Sequence, residues 1–119
     1  MSKKILIICR NGPYGSTLSR EAIDVILAGA VFEQNVSILF MDDGVFQLVN
    51  SQQSDAIEQK NQYKLIDSLQ MYDIEQLYAE QSSLDSRELK GTQIHGNTKV
   101  LSADEVSVLM ADQQIIMSF

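Results

Sequence analysis

One stretch of this chain, Ile5-Leu6-Ile7-Ile8-Cys9, is apolar without interruption, and it limits the folds open to it. Val36-Ser37-Ile38-Leu39-Phe40-Met41 reads as a second buried strand, and Ile115-Ile116-Met117-Ser118-Phe119 as a fifth strand that runs to the last residue. A strand with one wet face alternates, because successive side chains point to opposite sides. A continuous run therefore reads as a strand buried on both faces, as in a parallel sheet covered by helices.

The segments between the runs carry helix signals. After the first run, Arg10-Asn11-Gly12-Pro13-Tyr14-Gly15 is a dense turn signal. Ser16 or Thr17 can then cap a helix, and Glu21 suits its positive end. Leu18, Ala22, Ile23, Ile26, Leu27, Ala30 and Val31 recur at three- and four-residue steps and give one broad apolar face. The second run ends at Asp42-Asp43-Gly44, where glycine permits a positive φ, and Val45 to Val49 follows as a short helix or an apolar loop. Asn50 to Ser54 reads as a polar linker. A helix can start at Asp55, and its firmer part is Tyr63 to Met71, with Leu65, Ile66 and Leu69 on one face.

Ile74 to Ala79 is a third strand, interrupted by Glu75 and Gln76. Ser82 can open a short helix to Leu89, Gly91 to Asn97 is a loop, and Lys99-Val100-Leu101 is a fourth strand. Ser102-Ala103-Asp104-Glu105 has the capping-box spacing, and Val106, Leu109 and Met110 continue as a helical stripe into the fifth strand. The expectation is a single α/β domain over residues 1–119: a five-stranded, mostly parallel sheet with helices on both faces in three layers. A chain of 119 residues can bury such a core without cross-links.

Composition narrows function. One cysteine, Cys9, excludes an internal disulfide and a multi-thiolate zinc site, and one histidine, His95, excludes a multi-histidine centre. Nine basic against sixteen acidic residues, net −7, argues against direct contact with nucleic acid. No apolar run approaches the ~20 residues that span a bilayer, and the first is too short for a secretory signal of ~7–15 residues; a cytoplasmic location is expected. Between Arg20 and Lys60 there is no basic residue while seven acidic ones occur, which reads as a solvated face or as a surface for a basic partner.

In open α/β sheets ligands gather at the carboxyl ends of strands. The loop after strand one lacks a phosphate-binding fingerprint, and Pro13 lacks the N–H a phosphate cradle uses. Asp42 and Asp43 could hold Mg²⁺ with waters, but nothing else in the loop supports a metal. Ala79-Glu80-Gln81-Ser82-Ser83 offers hydroxyls without a neighbouring base. Cys9 is expected to pack as a small hydrophobe, although Arg10 beside it would favour a thiolate. His95 is expected at the surface, and four of the five methionines fall in core patterns.

Beyond these residues the chain resembles a known family. Met41-Asp42-Asp43-Gly44-Val45-Phe46-Gln47-Leu48 resembles a hallmark of the DsrE/DsrF-like sulfur-transfer family, nearest its TusC-type (DsrF-like) branch. Pro13-Tyr14-Gly15, Ser19-Arg20-Glu21-Ala22, Leu69-Gln70-Met71-Tyr72-Asp73-Ile74-Glu75-Gln76, Ser83-Leu84 and the isoleucine-rich strand ending at Phe119 agree in order and spacing. The resemblance implies a role in the relay that 2-thiolates the wobble uridine of certain tRNAs. It implies TusB-like and TusD-like homologous partners in a heterohexamer of two heterotrimers, with no cofactor and no metal. Sulfur in that family rides as a persulfide on a cysteine of the TusD-type subunit, just after a core strand. The matching region here is Tyr78 to Leu84, with Ala79 the nearest equivalent, and it holds no cysteine. The chain is thus expected to be a non-catalytic subunit, with Val45, Phe46 and Leu48 at a subunit boundary. The alternatives are a stand-alone flavodoxin-like domain for a small molecule or nucleotide, and a free persulfide carrier using Cys9.

Overall fold

The computed structural model describes residues 3–12, 18–49 and 57–119. The Pro13–Thr17 turn and cap, the Asn50–Ser54 linker and the proposed helix start at Asp55 lie outside the described residues. Strands β1 (Lys4–Cys9), β2 (Asn35–Phe40), β3 (Leu77–Glu80), β4 (Lys99–Leu101) and β5 (Ile115–Ser118) form one sheet in the order β4-β3-β2-β1-β5. Every pairing is parallel, with Ile7 opposite Ile38 and Met117, and Ala79 opposite Phe40 and Val100. The chain steps from β1 to β4 across one half of the sheet and then returns past β1 to lay down β5.

The helices divide unequally between the faces. On the first face, α1 (Leu18–Val31), α2 (Ile57–Ser68) and α3 (Gln81–Ser86) join a 3-10 helix at Asp42–Leu48. There Ala22, Ile23, Ile26, Val45, Leu48, Ile66 and Leu84 pack on Ile7, Cys9, Ile38, Phe40, Leu77 and Ala79 of the strands. On the second face only α4 (Ala103–Ala111) is present among the described residues, with Val106, Leu109 and Met110 against Leu6, Ile8 and Leu39. Alternate residues of β1 serve opposite faces, which is why its sequence is continuously apolar.

The predicted capping box starts α4. Ser102 Oγ accepts from the Glu105 N–H at 3.3 Å, and Glu105 Oε1 accepts from the Ser102 N–H at 3.0 Å. The bond from the Ser102 N–H, together with one from the Ser102 side chain, holds the Glu105 carboxyl below its ordinary pKa, because both favour the charged form.

Several boundaries differ from the sequence reading, each for a physical reason. β3 starts at Leu77 rather than Ile74. Asp73 takes a left-handed conformation (φ 62°) at the end of a 3-10 turn over Leu69–Tyr72, and the Ile74 N–H bonds back to Leu69 O. Ile74 is buried as the plug of that turn, and its apolarity mimics a strand. α3 begins at Gln81, directly off β3, so no loop separates strand from helix. The Val45–Val49 alternative resolves as helix, within the 3-10 turns of Asp42–Leu48. Met71 and Met117 are not core residues: Met71 is 84% exposed, and Met117 sits on edge strand β5 at 38%. Leu65 is likewise exposed on α2.

Candidate functional site

The carboxyl ends of β1, β2 and β3 converge, and there the acidic pair after β2 is divided between two arginines. Arg10, following β1, places Nε 2.9 Å from Asp42 Oδ2. Arg87, following α3, brings Nε and Nη2 to 3.0 and 2.9 Å from Asp43 Oδ1. Asp42 itself has a left-handed backbone (φ 51°), and its N–H donates to Ser83 Oγ at 2.8 Å. The Ser83 hydroxyl in turn donates to the Glu80 carboxylate, and Arg87 Nη1 donates to the Ser83 carbonyl at 3.2 Å. The two carboxylates therefore turn to different cations rather than toward one shared ion. Among the described residues no group of three or more His, Cys, Asp or Glu side chains gathers as a metal site.

Gly44 is required here for a reason the sequence did not reveal. The left-handed residue of the turn is Asp42, not glycine. A Cβ on Gly44 would lie 1.8 Å from the Cys9 carbonyl oxygen and 2.5 Å from its carbon. Glycine lets the 3-10 helix press against the end of β1, a use of its missing side chain and not of its freedom in φ.

Cys9 closes β1 with its side chain in the first-face core, 1% exposed. Burial pushes its thiol up to about 12, because desolvation disfavours the charged thiolate. The adjacent guanidinium of Arg10 is engaged with Asp42. Ala79 is fully buried inside β3, within the first-face core, while Gln81 and Ser82 beyond it are exposed. Val45 and Leu48 are fully buried in the chain's own core, and Phe46 between them is only partly covered.

Two buried polar clusters escaped sequence reasoning. Gln47, 1% exposed, donates from Nε2 to the Asn11 carbonyl at 2.7 Å and accepts from Gln62 Nε2 at 2.9 Å. This ties the end of β1 to α2, and the available signal was one amide inside an otherwise apolar pentapeptide. His95, expected at the surface, is 3% exposed. Its N–H donates to Leu48 O at 2.9 Å, and its Nδ1 accepts from the Asn97 N–H at 3.3 Å. The hydrogen on Nε2 then faces Asp67 Oδ1 at 2.9 Å, an assignment that follows from the bond at Nδ1. Tyr63 lies against the imidazole, with ring centres 5.3 Å apart. Ile94, which bridges Val49, was the clue: an apolar residue in a polar loop marks a loop that turns inward. Asp67→Ala should cost about 1 kcal/mol, since a buried N–H loses a charged acceptor that water can partly replace. Urea unfolding checks this, and a stability equal to the parent would refute it.

The comparisons with known proteins agree on one family. The profile of the DsrE/DsrF-like family matches residues 3–119. The chain is 31% identical to the intracellular sulfur oxidation protein DsrF of Allochromatium vinosum, over 98% of this chain and 96% of that protein. It is 39% identical to a TusC homolog of Pseudomonas aeruginosa over 75% of each. The crystal structure of the ychN protein from E. coli superposes with a TM-score of 0.78 over the full length of both chains, at 16% identity, and so shares the fold.

Proposed function

The chain belongs to the DsrE/DsrF-like family, and from that membership we propose that it works as a subunit of a sulfur-relay complex without carrying the sulfur itself. Its partners are TusB-like and TusD-like homologous chains in a heterohexamer of two heterotrimers. The complex passes persulfide sulfur toward 2-thiolation of a tRNA wobble uridine, and this subunit acts in the cytoplasm. The relatives named TusC and DsrF support the sulfur chemistry.

One observation carries the accessory role. The lone thiol is buried and held far above neutral pH, while the accessible end of β3 presents Glu80, Gln81 and Ser82. A persulfide carrier needs a reachable sulfur with thiolate character. Cys9→Ala, which avoids burying a hydroxyl, should leave sulfur transfer by the assembled complex unchanged in a persulfide-transfer assay. Loss of transfer in a complex that still assembles would overturn the accessory reading.

The structural contribution then lies in surface. Of Val45, Phe46 and Leu48, only Phe46 retains area to offer a partner. Phe46→Asp should weaken co-purification with co-expressed TusB-like and TusD-like chains by at least ~30-fold, the loss expected for an aromatic anchor. Assembly at the parental yield would remove Phe46 from the interface.

A further inference from the structure

The second face of the sheet is covered less completely than the first. Five strands span ~19 Å from edge to edge, at ~4.8 Å per step. One helix covers ~10 Å of that width. Among the described residues α4 is the one helix on this face; Leu6, Ile8, Leu39 and Leu101 are buried with it, and Tyr78 on β3 stays partly exposed. On the side of β3 and β4 lies an open groove of ≈ 480 Å³, with Tyr78, Leu101 and Val108 among its apolar lining. Val108 is 70% exposed there, while Val106, Leu109 and Met110 of the same helix turn inward.

The groove has a signed rim. Asp104, Glu105 and Asp112 line it, and α4 carries no basic residue. Lys4 pairs with Asp112 at 2.9 Å, and Lys99 attracts Glu105 from the edge strand. Asp104 makes no ion pair among the described residues. Three carboxylates thus face two cations around an apolar floor. A second copy of this chain would bring the same carboxylates to the same rim, on a molecule of net charge −7. Like charges set against each other oppose that pairing.

We propose that the groove beside α4 is the docking site for an amphipathic helix of a partner protein, apolar along one face and bordered by Lys or Arg. Such a helix completes the second layer, covers Val108 and sets its cations against Asp104, Glu105 and Asp112. It lies in the groove beside α4, with its apolar face on Tyr78 and Val108.

The test uses the full chain and a fluorescein-labelled 18-residue peptide with a leucine stripe flanked by lysines, followed by fluorescence anisotropy. A peptide with the same stripe and glutamate flanks is the counterpart. Val108→Lys removes apolar floor and opposes the lysines; Phe32→Lys makes the same charge change at a 74%-exposed residue beyond α1. Val108→Lys is expected to weaken the lysine-flanked peptide by ~10-fold or more, Phe32→Lys by less than ~2-fold, and the glutamate-flanked peptide to bind at least ~10-fold more weakly than its counterpart. Asp104→Asn should flatten the salt dependence of binding. Equal losses in the two lysine variants, or equal binding of the two peptides, would overturn the proposal. So would a parent chain that sediments as a dimer and becomes monomeric in Val108→Lys, since a second copy would then occupy the groove.

Discussion

Gly44→Ala should destabilise the chain by about 3 kcal/mol or more, a drop of roughly 10–15 °C in melting temperature for a domain of this size. The added methyl would sit 1.8 Å from the Cys9 carbonyl oxygen and 3.1 Å from the Arg10 amide nitrogen. Both are backbone atoms, at the end of β1 and just beyond it, so no rotamer change relieves the overlap. Cys9 pairs with Phe40 in the β1–β2 ladder, and the Met41 N–H donates to the Cys9 carbonyl at 3.0 Å. Moving either segment breaks that bond and shifts Asp42 away from Arg10. Gly91→Ala is the internal control. Nothing lies within 4 Å of its added methyl, and a change within ±0.5 kcal/mol is expected. Urea titration of both variants is the measurement, and a Gly44→Ala protein as stable as Gly91→Ala would mean that the 3-10 helix does not press on β1 as described.

Leu48→Ala is expected to cost about 2–5 kcal/mol, the range for deleting a buried leucine and leaving a cavity. Leu48 is fully buried, and its carbonyl also receives the His95 N–H, so the site has little room to collapse. This variant separates two roles that sit two residues apart. Leu48→Ala should lower the unfolding free energy of the isolated chain, whereas Phe46→Asp should leave it within about 1 kcal/mol and act on assembly. If both lower stability alike, Phe46 belongs to the core and the interface lies elsewhere.

How much of this was legible in the residues depends on the distance between partners. The five strands, their parallel pairing and the split of β1 between two faces were readable because apolar periodicity is local. The capping box at Ser102 and Glu105 was readable because its partners are three residues apart. The start of β3 was misread because Ile74 is apolar for a different reason, as the plug of a left-handed turn. Methionine misled as well: Met71 occupies a helix-like position but emerges on the 3-10 turn, facing solvent.

At the carboxyl end of the sheet the division is sharper. The chain's lack of a thiol between Tyr78 and Leu84 is written in the sequence, and so is the family-like string from Met41 to Leu48. The separate arginine partners of Asp42 and Asp43 are not, because they join the turn after β2 to residues 32 and 44 positions away. His95 meets Asp67 across 28 residues and Gln47 meets Gln62 across 15. No local pattern marks either pair, and only the packing of α2 against the first face brings them together.

By itself the sequence determined the architecture, the family and the single cysteine. The continuous run from Ile5 to Cys9 calls for a strand covered on both faces, and the absence of a second thiol needs no coordinates. Tertiary structure decided which residues remain available for function. It withdrew Cys9, Val45 and Leu48 into the core, left Phe46 partly uncovered, and assigned Gly44 to a backbone contact rather than a turn. The reason is physical: burial and close approach are properties of surfaces brought together from distant parts of the chain, and one helix on the second face leaves Val108 bare whatever its own sequence neighbours are.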